Sequence, residues 1–548
     1  MSRGRKGPPQ ESIDSILFAV SHHEDIDDDT MSRYLDRLDE AWTEGAREKV
    51  LHLLRNNEAM VQSAAIHILG ELATDFDLEA LEDFVTDPTI GDMAKLSLSP
   101  ILKELGSEMA DDGIIEYLND PAGAIRQMQL RLLEIVGHSE MGVETILDDV
   151  ISMPVERRLG FIHWLGNSND PRAASLLIPL LVHQSGKVVT EVVDALEQLG
   201  AVAVNHTIPA LHYLIATSSN RQLKQHARIA LERLTVQSML KVEDAAVMEA
   251  RRYQLPVHEA RVSSIDGSGT QLIMLSWMRS DGLVKGVNVL TQDQKGIKDC
   301  YGVDEMDAQR WGSLVSDLDE QGFGSFIVPF EYARALVIEA RAYNKRSRSK
   351  LPIAYAIWRP LIEGLLPEKK STSPYQTILE PLPLDPATQA LAQQGDQLFE
   401  LNEFMSWIYE PIERLEPYIT RYLATHDIFE SHFWLKEQRK GRKPQKQLMK
   451  LVDEAIDVLI DAKWCTLYEM RLRRQAALFQ VIGREKDVAL IRAAAALLDP
   501  HSGIPVQEQP FPRALISFSI EQGPLRLMVE SLHSGDMGTF PPEFFSQE

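Results

Sequence analysis

Five glycines constrain this chain most. Gly70, Gly106, Gly137, Gly166 and Gly200 follow one another at intervals of 29 to 36 residues, each between two apolar-patterned stretches. One residue before them stand Leu69, Leu105, Val136, Leu165 and Leu199. Four before stand Ile66, Leu102, Leu133, Ile162 and Leu196, and five before stand Ala65, Ile101, Leu132, Phe161 and Ala195. These three positions share one face of a helix with 3.6 residues per turn. The glycine then falls where a helix C-terminus wants a left-handed residue. A second apolar stretch follows each glycine, carrying Leu78 and Leu81, then Ile114 and Leu118, Val143 and Leu147, Leu176 and Leu180, and Ile208 and Leu211. One such helix pair cannot bury its apolar faces alone, whereas stacked pairs bury a continuous core.

The helix ending apolar-x-x-apolar-Gly is seen in Leu102-Lys103-Glu104-Leu105-Gly106 and in Ile162-His163-Trp164-Leu165-Gly166. It resembles the HEAT-like repeats, in particular the short form of phycobilisome-lyase-type proteins. The resemblance covers roughly residues 46–240. It implies a curved scaffold that binds other proteins and, in a minority of members, chromophore attachment. It brings no universal catalytic residues. A pair around Arg221 to Leu240 lacks the glycine, as a terminal capping repeat often does.

Beyond Leu255-Pro256 the period changes. Ala260 to Ile265, Thr270 to Arg279 and Leu283 to Leu290 read as strands, joined by Asp266-Gly267-Ser268-Gly269 and Asp281-Gly282, both hairpin signals. Thr270 to Arg279 is apolar on both faces, which predicts a central strand. Val303 to Gln321 and Glu331 to Arg346 read as helices flanking a short strand, Ser325 to Val328. Prolines 367, 374, 381, 383 and 386 mark a linker. Phe404, Ile408, Ile412 and Leu415 keep helical spacing, interrupted at Pro411. Further helices are predicted over Leu448 to Gly483 and Val488 to Leu498, while Ala514 to Ile520 fits either a strand or a helix start. The expected fold is mostly α. A short N-terminal segment spans 1–30, a HEAT-like solenoid 31–250 and an antiparallel α+β domain 257–366. A proline-rich linker follows over 367–395, then a C-terminal helical domain over 396–548.

A formal net charge of −25 argues against global binding to nucleic acid or anionic membranes, without excluding a local basic patch. Two cysteines, Cys300 and Cys465, make no disulfide framework and point to a reducing compartment, hence a cytoplasmic protein. No apolar run reaches the ~20 residues of a spanning helix. Arg3, Arg5 and Lys6 are followed by too short a stretch, broken by Asp14, for a signal peptide.

Few places invite chemistry. Cys300, expected in a turn before a helix, has no histidine base nearby beyond His258 at the domain edge. Asp293, Asp299, Asp304, Glu305 and Asp307 crowd the same connection, where helix capping explains them as well as a hard cation does. Gly267, Gly269 and Gly302 match no phosphate-loop spacing. The polar cluster from His22 to Asp29 fits no recognisable metal-ligand spacing and reads as a solvated loop. Two basic runs stand out. Arg341, Lys345, Arg346, Arg348 and Lys350 suit a helix C-terminus. Lys436, Arg439, Lys440, Arg442, Lys443 and Lys446, near Phe433 and Trp434 and placed in a loop by Gly441 and Pro444, have the composition of a phosphate- and base-binding loop. The leading expectation is a non-enzymatic scaffold or adaptor for a protein partner, with no cofactor, no metal and no membrane. The rivals are a nucleic-acid-associated regulator using the 436–446 loop and, behind it, an enzyme seated in 257–366.

Overall fold

The computed structural model describes residues 12–21, 28–56, 58–110, 113–138, 140–250, 253–319, 324–366, 380–425, 442–500 and 502–534. It is mostly helical with one small antiparallel sheet. The chain divides into two compact units, residues 1–135 and 136–548. The division falls inside the span read as one array.

The first unit contains α1 (Ile13–Ser21), α2 (Asp28–Glu40), α3 (Ala46–Leu54), α4 (Ala59–Leu72), α5 (Leu78–Thr86), α6 (Asp92–Ser97) and α7 (Ser99–Glu104). Helix α8 (Pro121–His138) crosses the division. Trp42, Val50, Leu54, Ile68, Leu69, Leu81, Val85, Leu98 and Leu102 share one core. Buried Asp77 ties it together, accepting from the Trp42 indole at 3.2 Å, the Thr74 backbone at 2.9 Å and Arg47 at 3.2 Å.

The second unit begins with α9 (Glu140–Ser152), α10 (Val155–Asn167), α11 (Ala173–Leu177), α12 (Gly186–Leu199), α13 (Val204–Thr217), α14 (Arg221–Ser238) and α15 (Val242–Ala250). Helix α12 packs between α10 and α14, while α13 packs on α14 and α15. The apolar stripes read from sequence meet here, with Ile162, Leu165, Val192, Leu196, Ile208 and Leu211 fully buried.

The repeat glycines do not all end helices. Gly106 and Gly200 adopt positive φ after α7 and α12, a backbone that favours glycine at a helix C-terminus. Gly70, Gly137 and Gly166 lie inside α4, α8 and α10. At Gly166 the reason is close approach: an added Cβ would sit 2.8 Å from the Ala195 Cα of α12. At Gly70 it would meet nothing within 4 Å.

Strands β1 (Val257–Ser263), β2 (Thr270–Met278), β3 (Val284–Gln292), β4 (Gly296–Met306) and β5 (Ser325–Ile327) form a sheet ordered β4-β3-β2-β1-β5, every pair antiparallel. The doubly apolar β2 is central and buried along both faces. Its Leu272 and Met274 pack under Trp311, Val315 and Leu318 of α16 (Ala308–Leu318). Helix α17 (Phe330–Ser347) also packs against the sheet, with Phe330 edge-on to Trp277 at 5.9 Å. The sequence reads as a connection where β4 lies, because its two glycines and charged residues resemble a turn. Gly302 is required there: an added Cβ would fall 1.8 Å from the Trp358 ring of α18 (Ile353–Glu363). The Trp358 Nε1 donates to Glu144 of α9 at 3.0 Å, so α18 joins the sheet to the helices before it.

The remaining elements are α19 (Pro386–Ala392), α20 (Glu416–Thr425), α21 (Arg442–Leu459), α22 (Ala462–Val481), α23 (Glu485–Leu498) and α24 (Pro510–Ser534). Part of the expected linker is thus a helix, α19, packed on α23, while residues 367–379 lie outside the described residues. The helical spacing around Pro411 corresponds to short 3-10 turns, Asn402–Phe404 and Ile412–Arg414, rather than a continuous helix. The segment from Ala514 to Ile520 is helical, within α24. Arg471 of α22 reaches the β1–β2 turn, donating to Ser268 O at 2.9 Å and to Gly267 O. It also pairs with Asp293 at 2.7 Å, both side chains buried.

Candidate functional site

Several sequence candidates have structural occupations. Cys300 lies mid-strand in β4 opposite Val289, not in a turn. Burial pushes its thiol well above the ordinary value, and the charges of Glu144 and Asp299 add to that, so thiolate chemistry is disfavoured. Asp293 is bound to Arg471, Asp307 caps α16 by accepting from the Arg310 backbone at 2.7 Å, and Asp299 accepts from the Cys300 backbone at 2.8 Å. The side chains of Asp304 and Glu305 lie outside the described residues. Among the described residues no group of three or more His, Cys, Asp and Glu is placed to hold a metal ion. Gly267 and Gly269 sit in the β1–β2 turn, where Asp266 accepts from the Ser268 and Thr270 backbones.

The 436–446 run is only partly described. Lys436, Arg439 and Lys440 lie outside the described residues, as do His22 and His23. Arg442 and Lys443 begin α21, with side chains not described, and Lys446 is exposed on the same helix. From Arg442 onward the segment is helical rather than a loop. Pro444 sits in the first turn, where its missing N–H costs no helix bond.

The other basic run occupies the more informative place. Helix α17 ends at Ser347, Arg348 takes a left-handed backbone with φ of 57°, and the chain turns through Lys350 and Leu351 into α18. Buried Asn344 fixes this corner. Its Oδ1 accepts from Ile297 N at 2.7 Å, and its Nδ2 faces Ile297 O at 3.2 Å and Lys350 O at 2.9 Å. Arg334 donates to Ile362 O and Glu363 O at 2.8 and 2.9 Å, fastening the far end of α18 to α17.

This corner forms one wall of a cleft of about 560 Å³. The other wall comes from the 3-10 turn Pro179–Val182 that follows α11, the N-terminus of α12, the C-terminal half of α13 and the start of α14. Arg341, Lys345, Arg348, Lys350 and Arg359 line it, and no Asp or Glu does. Two of these cations are committed. Arg341 pairs with buried Glu363 at 2.6 Å. Arg359 lies over the Tyr213 ring at 3.8 Å and donates to Gly364 O at 2.9 Å. Glu363 also receives the hydroxyls of Tyr213 and Tyr355. Burial and that carboxylate raise both phenols, which therefore stay protonated.

Lys345, Arg348 and Lys350 are exposed and enter none of the ion pairs found among the described residues. His183 also lines the cleft. Its Nε2 faces the Arg158 guanidinium at 2.9 Å, and its Nδ1 faces the Ser185 N–H at 3.0 Å. A neutral imidazole accepts at one nitrogen only, so one donor is unmatched. Burial, then the charges of Arg158 and Lys350, lower its affinity for a proton. The opposite wall mixes apolar Ile178, Leu181, Val182, Val189, Leu214 and Leu223 with polar Gln184, Thr217, Ser218, Ser219 and Asn220.

The basic run is visible in sequence, where the dipole at a helix C-terminus accounts for it. One further signal was present: no Asp or Glu occurs between Glu339 and Glu363, in a chain with 81 acidic residues. The apolar wall gave no such signal, because buried helix ends and cleft walls use the same residue types. Compared with protein-family models, curated proteins and solved structures, the chain matches none. No helix among the described residues is long and apolar enough to cross a membrane.

Proposed function

We propose that this protein is a non-enzymatic adaptor that holds a protein partner, with helices α10 to α15 acting as a HEAT-like stack. The alternation of α10, α12 and α14 against α13 and α15 supports a repeat arrangement, in which each helix pair leans on its neighbours. The observation that carries the reading is the cleft. Three cations that enter no ion pair among the described residues face a partly apolar wall, in a protein of net charge −25, at the place where the stack meets the α17–α18 corner. Concave sites with an apolar lining and a few convergent polar groups are the usual places for ligands. The polar side chains flanking the sheet act in structural bonds, as Arg471 with Asp293 and Asn344 with Ile297 do.

Affinity capture from native extract, with and without nuclease, tests the reading. A discrete protein retained in both arms by the natural chain is expected. A nuclease-sensitive catch would favour a nucleic-acid-associated regulator instead, and capture of nothing specific would contradict the adaptor.

A further inference from the structure

Resting on the adaptor reading, we infer that the cleft recognises a short acidic peptide segment whose carboxylates alternate with apolar side chains. Its charge follows from the wall of Lys345, Arg348 and Lys350, where no carboxylate among the described residues neutralises them. Its brevity follows from the rest of the molecule. A net charge of −25 repels a long polyanion wherever it leaves the cleft, and screening removes that repulsion only beyond ~8 Å at physiological salt. A short acidic run avoids this, and a nucleic acid does not.

The apolar character follows from the facing wall. Bare phosphate or polyphosphate would satisfy the three cations and leave the partly exposed Ile178 and Val182 against water. A peptide with apolar side chains covers that wall and gains ~25 cal/mol for each Å² of apolar surface removed from water. Recognition is then two-sided, with the α17–α18 corner reading charge and the Pro179–Val182 turn, the end of α13 and the start of α14 reading apolar side chains.

The test uses the full chain and a fluorescein-labelled ten-residue peptide alternating Glu and Leu. Comparison probes are a Glu–Ser peptide, a Lys–Leu peptide, tripolyphosphate and a 20-nucleotide single strand. The expected result is binding of the Glu–Leu peptide that weakens with salt. The Glu–Ser peptide should bind at least about tenfold more weakly, and the Lys–Leu peptide not at all. The triple variant Lys345→Ala, Arg348→Ala, Lys350→Ala changes exposed side chains and should keep its far-ultraviolet spectrum while losing the peptide at least about tenfold. Val182→Ser should weaken the Glu–Leu peptide but not the Glu–Ser peptide.

Equal binding of the Glu–Ser and Glu–Leu peptides would overturn the two-sided site. Displacement of the peptide by equimolar tripolyphosphate or oligonucleotide would show a phosphate site. Absence of any anion binding would remove the site altogether. The adaptor reading fails separately, if the natural chain captures no protein. If a captured partner is retained equally by the triple variant, the adaptor stands and this inference falls.

Discussion

Single residues in this protein carry identifiable fractions of the structure, and Asp77 is the plainest. Burial alone would raise its carboxyl, but hydrogen bonds from the Thr74 backbone, Trp42 and Arg47 hold it below the ordinary value. A carboxyl depressed on folding adds stability that is present above its unfolded pKa and is lost as pH falls through the folded one. Asp77→Ala should therefore cost about 1–3 kcal/mol at neutral pH, by leaving buried donors unmatched. The difference from the natural protein should shrink on acidification below the ordinary aspartate range, as read by denaturant unfolding. An unchanged difference at low pH would show that Asp77 stays neutral or unpaired. Arg471 offers a second test. Arg471→Leu strands Asp293 in the interior, and loss of one partner from a buried pair costs about 3–5 kcal/mol. The double variant with Asp293→Leu should recover much of that loss, which a purely steric effect would not allow.

At the scale of elements, the glycine repeat was legible and its mechanism only in part. Gly106 and Gly200 end helices, whereas Gly166 lets α10 approach α12, a demand that depends on a partner about thirty residues away. The two kinds separate by experiment. Gly166→Ala should destabilise by about 1–3 kcal/mol, through overpacking against Ala195. Gly70→Ala, in an exposed and uncrowded helix position, should stabilise by about 0.5–1 kcal/mol. Thermal unfolding of both variants checks the contrast, and equal effects would contradict it. The sheet followed the same division. Central β2 could be read from its doubly apolar pattern. Strand β4 could not, because Gly302 answers to Trp358 fifty-six residues later. The α17–α18 corner depends likewise on Asn344 and its bonds to Ile297 and Lys350. Asn344→Ala should weaken Glu–Leu peptide binding as well as stability. Binding that survives a measurable loss of stability would show that the corner does not need its anchor.

For the molecule as a whole, acidity and architecture set the question. Most of the protein repels anions, and one acid-free stretch from 340 to 362 gathers its cations beside apolar helix ends. Sequence exposed the basic half of that arrangement. The apolar half came from residues 178–223, which local pattern reading assigns to core, so the cleft emerged only when the chain was folded. The most direct measurement places a photo-crosslinking amino acid at position 184. Gln184 is exposed on the cleft rim, and none of the side-chain hydrogen bonds described above involves it. Irradiation of the full chain in native extract, followed by mass spectrometry of the adduct, should give a protein crosslink at an acidic, apolar-bearing segment. The Lys345, Arg348, Lys350 triple alanine variant should lose that adduct. Crosslinks to nucleic acid, or a protein adduct unaffected by the triple variant, would contradict a cleft that recognises a protein partner.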